Sequence, residues 1–162
     1  MSLLVWCLFQ NCLSIKYNLV SWGILLPIDN RCVGGCGLEE ITTHLFLHCS
    51  HFGVIWSLIR QWIGVSLAHP FCLVAHFTQF GHLCDFSNNL RSYLYLIWFA
   101  LVWVIWNEMN NRIFNNKVEP MQSLLDKIKL LSLVWLKEGN STFALNHHNW
   151  WLYPFSCMGT TL

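Results

Sequence analysis

Four residues in this chain have the type and spacing to hold a metal ion. They lie in Cys32-Val-Gly-Gly-Cys36-Gly-Leu-Glu-Glu-Ile-Thr-Thr-His44-Leu-Phe-Leu-His-Cys49. Thiolate and imidazole donors suit zinc, and two closely spaced pairs that fold back on one another make a four-donor structural site for one ion. Gly34, Gly35 and Gly37 let the backbone turn sharply and aim its amides at the sulfurs, which stabilises the thiolates.

The second pair poses a geometric problem. His44 and Cys49 are five residues apart, about 140° around an ideal helix, so both face one ion only if the helix begins late or breaks near Cys49. His48 shares a helical face with His44 and is a rival ligand, and His51 is a weaker one. The competing reading makes Cys32 and Cys36 ordinary thiols in a glycine turn, since Cys-x3-Cys is less diagnostic than paired Cys-x2-Cys units. Catalytic zinc is disfavoured, because four protein donors leave no open position. Glu39 and Glu40 are nearby candidates for a general base, but acidic residues ahead of a helix are also explained by its dipole.

Helical elements must hold this segment. Leu4, Leu8 and Phe9, then Leu19, Trp22 and Leu26, recur near helical spacing and predict two short helices, with Gly23 and Pro27 ending the second. Thr42 to Ile63 reads as helical, with Gly53 as a weak point inside it and Gly64 as its stop. Residues 66–89 read as a partly helical connector anchored by His76, Phe77, Phe80, Cys84 and Phe86, broken at Gly81 and at Asp85 to Asn89; its histidines read as packed or exposed imidazoles. Arg91 to Phe114 holds an apolar run from Tyr93 to Trp106 that is short of the roughly 20 residues a membrane span needs. It predicts a buried central helix, although residues 93–106 could be mistaken for a transmembrane segment. Met121 to Lys137 predicts an amphipathic helix with Leu124, Leu125, Ile128, Leu131 and Trp135 on one face and Gln122, Asp126, Lys127 and Lys129 largely off it. Trp150, Trp151 and Phe155 are expected to close over the core.

The fold class expected is mainly α, a small helical domain with a zinc-stapled Cys/His loop. With 162 residues and no repeat, one domain spanning 1–162 is expected, with 30–56 as its zinc-binding segment. At 55% hydrophobic residues and a net charge of +1, the chain is no disordered tail and has no overall basic footprint for nucleic acid. The sparse charge makes association through apolar surface, with a protein partner or a second copy, a reasonable expectation. The opening Met-Ser-Leu-Leu-Val-Trp lacks a basic region and a cleavage site, so an intracellular setting, cytoplasmic or nuclear, is expected, with Cys7, Cys12, Cys72, Cys84 and Cys157 as free thiols.

The run Cys32-x3-Cys36-Gly37-x-Glu39-Glu40-x3-His44-Leu-Phe-x2-Cys49, followed by Phe52-Gly53-x2-Trp56, resembles the zinc-binding domain near the carboxyl end of plant non-LTR retrotransposon reverse transcriptases. Trp6-x-Leu8, Asn18-Leu19 and Gly23-Ile24 are similar to that family's helical lead-in, and Trp106-Asn-Glu-Met-Asn110-Asn-Arg-Ile-Phe114 to a stretch common downstream. The resemblance implies that Cys32, Cys36, His44 and Cys49 are the ligands of one structural zinc, and that RNA or DNA is a partner. The chain departs from the family where Cys7, Cys12, the Ser21-Trp22 position and Met109 replace arginines that could meet phosphates. No paired polymerase aspartates and no ribonuclease H carboxylates are recognisable, so a non-catalytic module, a detached fragment of a retroelement gene, is the expectation.

Overall fold

The computed structural model describes residues 3–66, 70–82, 88–139 and 146–159. Its elements are helical: α1 (Leu3–Phe9), α2 (Lys16–Ser21), a 3-10 turn (Pro27–Asp29), a π-helical turn (His44–His48), α3 (Val54–Ile63), α4 (Leu73–Gly81), α5 (Asn88–Phe114), α6 (Met121–Gly139), α7 (His147–Leu152) and α8 (Pro154–Gly159). The one β feature among the described residues is an isolated antiparallel bridge between Arg31 and Glu39. The mainly α expectation therefore holds.

The helical stretch expected from Thr42 to Ile63 is broken between Cys49 and Gly53. A π turn occupies 44–48, the chain leaves helical geometry at Cys49, and α3 starts only at Val54. Gly64 ends α3 in the left-handed conformation, where the amides of Gly64 and Val65 both donate to the Arg60 carbonyl, 2.9 and 3.0 Å. In the connector, Leu73–Gly81 forms α4, with the Cys72 sulfur accepting from Ala75 N–H at its start. Cys84, Asp85 and Phe86 lie outside the described residues.

Helix α5 is the axis, touched by α1, α4, α6 and α8. Its residues Leu94, Ile97, Trp98, Ala100, Leu101, Val102, Ile105 and Met109 are essentially sealed from solvent, consistent with a helix that is apolar on every side. Leu90–Phe114 is long and apolar enough to cross a membrane by length and composition, yet 56% of its most apolar window is buried against the rest of this chain. Aromatic rings tie its neighbours to it. Trp98 donates its indole N–H to Nδ1 of the buried His76, 3.1 Å, and His76 meets the Trp56 ring edge-on at 4.2 Å. His76 is thus the packed imidazole anticipated.

On α6 the apolar stripe includes Leu124, Leu125, Ile128, Leu133 and Leu136, while Leu131 and Trp135 are only half-buried. Lys129 departs from expectation: it is 9% exposed and its ammonium sits 5.3 Å from the Trp62 ring and 5.4 Å from the Trp151 ring. A long stem buried along apolar surface, with the charge held by indole faces, explains the placement. That burial holds the Lys129 amine below the usual lysine range.

The tail closes as expected at Trp150. It is fully buried, donates its indole N–H to the Lys129 carbonyl at 2.9 Å, and meets Trp62 edge-on at 5.4 Å. Trp151 is half-buried and stacks on His147, and the side chain of Phe155 is outside the described set. Trp150→Ala is expected to lower the unfolding free energy by about 3–5 kcal/mol, the usual range for deleting a buried tryptophan. Trp151→Ala should cost clearly less. Chemical denaturation of the two variants checks the order.

Candidate metal centre

The first donor pair sits on a short hairpin. Across the Arg31–Glu39 bridge, Cys32 N–H donates to the Leu38 carbonyl and Glu40 N–H to the Asn30 carbonyl, both 2.8 Å. The loop between them turns through Gly35 and Gly37, at φ +76° and +81°, where an L side chain is strained. Gly34 serves differently. A Cβ there would lie 2.7 Å from the Cys49 sulfur and 3.4 Å from the Cys32 sulfur, so its lack of a side chain leaves the space in which those sulfurs meet.

The second pair is delivered by the π turn. Cys49 N–H donates to the His44 carbonyl, an i to i+5 bond of 2.7 Å, which brings Cys49 over His44 rather than well around the helix from it. At Cys49 the backbone turns extended, φ −60° and ψ 128°, which breaks the helix at the point the spacing requires. Leu45, Phe46 and Leu47 bury the opposite side of this turn. Gly53 then closes it: its N–H donates to the Cys49 carbonyl at 2.7 Å, and a Cβ there would press on the Leu47 and Cys49 carbonyl oxygens at 2.6 and 2.7 Å.

Together these turns gather Cys32, Cys36, His44 and Cys49, whose donor atoms all lie within 4.8 Å of one another. The Cys32 and Cys49 sulfurs are 3.6 Å apart, and the Cys36 sulfur is 3.0 Å from His44 Nε2. A tetrahedral ion with bonds of about 2.3 Å to sulfur sets its donors roughly 3.8 Å apart, so the cluster fits zinc in spacing as well as in donor type. Cys32, His44 and Cys49 are buried and Cys36 is half-buried.

The local field favours a thiolate at Cys49. A hydrogen bond from the Cys32 thiol holds Cys49 well below the ordinary thiol range, aided by the amides of Phe52 and His51 against the opposing cost of burial. Cys32 is pushed up by that same hydrogen bond and by its own burial. A cation bound between them would let both sulfurs carry charge.

The rival ligands point elsewhere. His48 is exposed, with Nε2 3.4 Å from the Phe71 carbonyl oxygen. His51 turns its Nε2 to Arg112, 2.6 Å away, and burial followed by the Arg112 charge holds its imidazole below the usual range.

Residues 1–56 match the family model described as zinc-binding in reverse transcriptase. No curated protein and no solved structure matches the chain. The matched segment runs from the residues ahead of α1 to Trp56 in α3, and so contains the whole donor cluster. Its supports include one that spacing did not reveal. Glu40, ascribed above to the dipole of the helix that follows it, is fully buried and serves the helix before it. Its Oε1 accepts from Lys16 N–H in the first turn of α2 at 3.0 Å, and its Oε2 from Val33 N–H at 2.6 Å. Burial pushes the Glu40 carboxyl up while those two amides pull it down. A Glu followed by a hydrogen-bonding turn gives no sequence signal for such a long-range clamp.

Cys32→Ser and Cys49→Ser are expected to lower the zinc content of purified protein, while His48→Ala leaves it nearly unchanged. Gly34→Ala, with all four donors present, should lower it as well because its methyl group enters the sulfur space. Metal analysis of the four reduced proteins reads all of these outcomes.

Proposed function

We propose that Cys32, Cys36, His44 and Cys49 hold one structural zinc ion, and that the chain is a non-catalytic zinc-binding module of the kind found in non-LTR retrotransposon reverse transcriptases of plants. The observation that carries this reading is the convergence of three sulfurs and one imidazole nitrogen within 4.8 Å, built from two separate turns. Zinc, when bound, supplies charge neutralisation and a cross-link between those turns. The hairpin places Cys32 and Cys36, the π turn places His44 and Cys49, and Glu40 ties the hairpin to α2. Four protein donors give a closed site, which suits a structural role and supports the non-enzymatic reading. Reduced thiolate ligands suit an intracellular compartment, cytoplasmic or nuclear.

Within a longer polypeptide, the module would assist contact with RNA or DNA. Support for that role is the family description together with the Trp106–Phe114 stretch; the chain's own net charge of +1 contributes little. A second reading, a module that meets a protein partner or a second copy of itself, is favoured by the exposed Trp22, Ile24, Leu26 and Ile28 that follow α2.

Removal of zinc by a chelator is expected to unfold the hairpin and π turn, seen as loss of amide protection in residues 30–56, and restoration of zinc should reverse it. An unchanged protection pattern after removal would sink the structural-zinc reading. With zinc bound, binding to RNA or DNA that weakens steeply with salt supports the nucleic-acid role, whereas concentration-dependent self-association without such binding supports the second reading.

A further inference from the structure

The stretch Trp106–Phe114 lies some sixty residues beyond the donor cluster, yet its Arg112 meets the two residues His51 and Phe52 just past Cys49. Glu108 and Arg112 are one turn apart near the end of α5, and Arg112 Nε donates to Glu108 Oε1 at 2.6 Å with both side chains buried. The same carboxylate oxygen accepts from Glu119 N–H at 3.1 Å, which fixes it to the turn ahead of α6. Arg112 then reaches across to the zinc segment. Its Nη2 is 2.6 Å from His51 Nε2, and its guanidinium carbon lies 4.9 Å over the Phe52 ring.

A guanidinium has only donors and keeps its proton, so His51 Nε2 must be the acceptor nitrogen and the ring proton sits on Nδ1. Arg112 thereby orients His51 by a hydrogen bond and Phe52 by a cation–π contact. These two residues lie just past the Cys49 donor in the chain, in the turn that Gly53 N–H closes on the Cys49 carbonyl at 2.7 Å. On its other side His51 backs onto the glycine turn, its Cβ 3.4 Å from where a Cβ of Gly34 would stand. The segment after Cys49 is thus clamped between the first donor hairpin and α5.

We propose that Arg112, held by Glu108, is a positioning residue of the metal centre: through His51 and Phe52 it fixes the turn that follows Cys49 against the donor hairpin and so tunes the affinity of the Cys32/Cys36/His44/Cys49 cluster for a soft divalent cation. The inference rests on the zinc reading above. It makes the end of α5 part of the metal centre, and it gives the Trp106–Phe114 stretch a role in this chain that needs no nucleic acid.

The test uses the full chain, with zinc affinity measured by competition against a chelating dye and cobalt as a spectroscopic probe of the thiolate ligands. Arg112→Met keeps most of the stem and removes the hydrogen bonds; Glu108→Gln keeps the shape and loosens the arginine, and serves if Arg112→Met fails to fold. Both should weaken zinc binding by about 10–100-fold, the usual cost of losing a supporting partner of a metal ligand, and alter the sulfur-to-cobalt charge-transfer band. His51→Ala should weaken binding too, and adding it to Arg112→Met should cost much less than the product of the two single effects.

A purely packing role predicts something else: equal loss of thermal stability in metal-free and metal-loaded protein, with zinc affinity within threefold of the unmodified chain and the cobalt band unmoved. That result would overturn the proposal while leaving the zinc reading intact. An unmodified chain that takes up neither zinc nor cobalt would remove both.

Discussion

The i to i+5 hydrogen bond from Cys49 N–H to the His44 carbonyl is the constraint on which the candidate centre depends. An α-helical turn at the same place would leave His44 and Cys49 facing well apart, and no movement of the hairpin could repair that. The wider turn costs regular helix hydrogen bonding, so something must hold it. Leu45, Phe46 and Leu47 bury its far side, Trp56 donates its indole N–H to the Phe46 carbonyl at 2.6 Å, and Gly53 lets the following backbone come back onto the Cys49 carbonyl. Packing and backbone bonds thus aim the four candidate donors at one point, where a bound ion would cross-link the two turns.

Polar groups connect the donor segments to the rest of the chain. The carboxylate of Glu40 joins the hairpin to α2 through two backbone amides, and Lys16 adds a bond from its ammonium to the Arg31 carbonyl at 2.9 Å. Glu108 and Arg112 join the segment after Cys49 to α5. A buried carboxylate that lost such partners would be left to bear its desolvation cost alone, so these contacts favour one arrangement of the segments strongly over others.

Much of this was legible in the sequence. The grouping of Cys32, Cys36, His44 and Cys49 was expected from chemistry and from resemblance, and the difficulty with their spacing correctly pointed to a break near Cys49. The apolar run in α5 identified the central helix because a helix packed on most of its sides carries no polar face over that run. Local pattern failed where the deciding contact was distant. Nothing near Lys129 in the chain says that Trp62 and Trp151 will hold its ammonium, and nothing near Glu40 says that Lys16 N–H will meet it. The apolar pattern from Thr42 to Ile63 likewise marked a helical stretch without revealing the π turn, because a π turn and an α-helix bury similar residues and differ mainly in backbone bonding.

The end of α5 shows how one element can serve two demands. Its body, from Tyr93 to Ile105, satisfies an apolar core and by composition alone resembles a membrane span. A helix made only for hydrocarbon would gain nothing from a buried Glu–Arg pair in its final turns, where each charge must be desolvated. Here Arg112 has specific acceptors in Glu108 and His51 and an aromatic face in Phe52, and the pair faces the donor segment. The charges at the end of α5 are accounted for by what they hold in place, and the hydropathy of the same helix by the side chains packed around it.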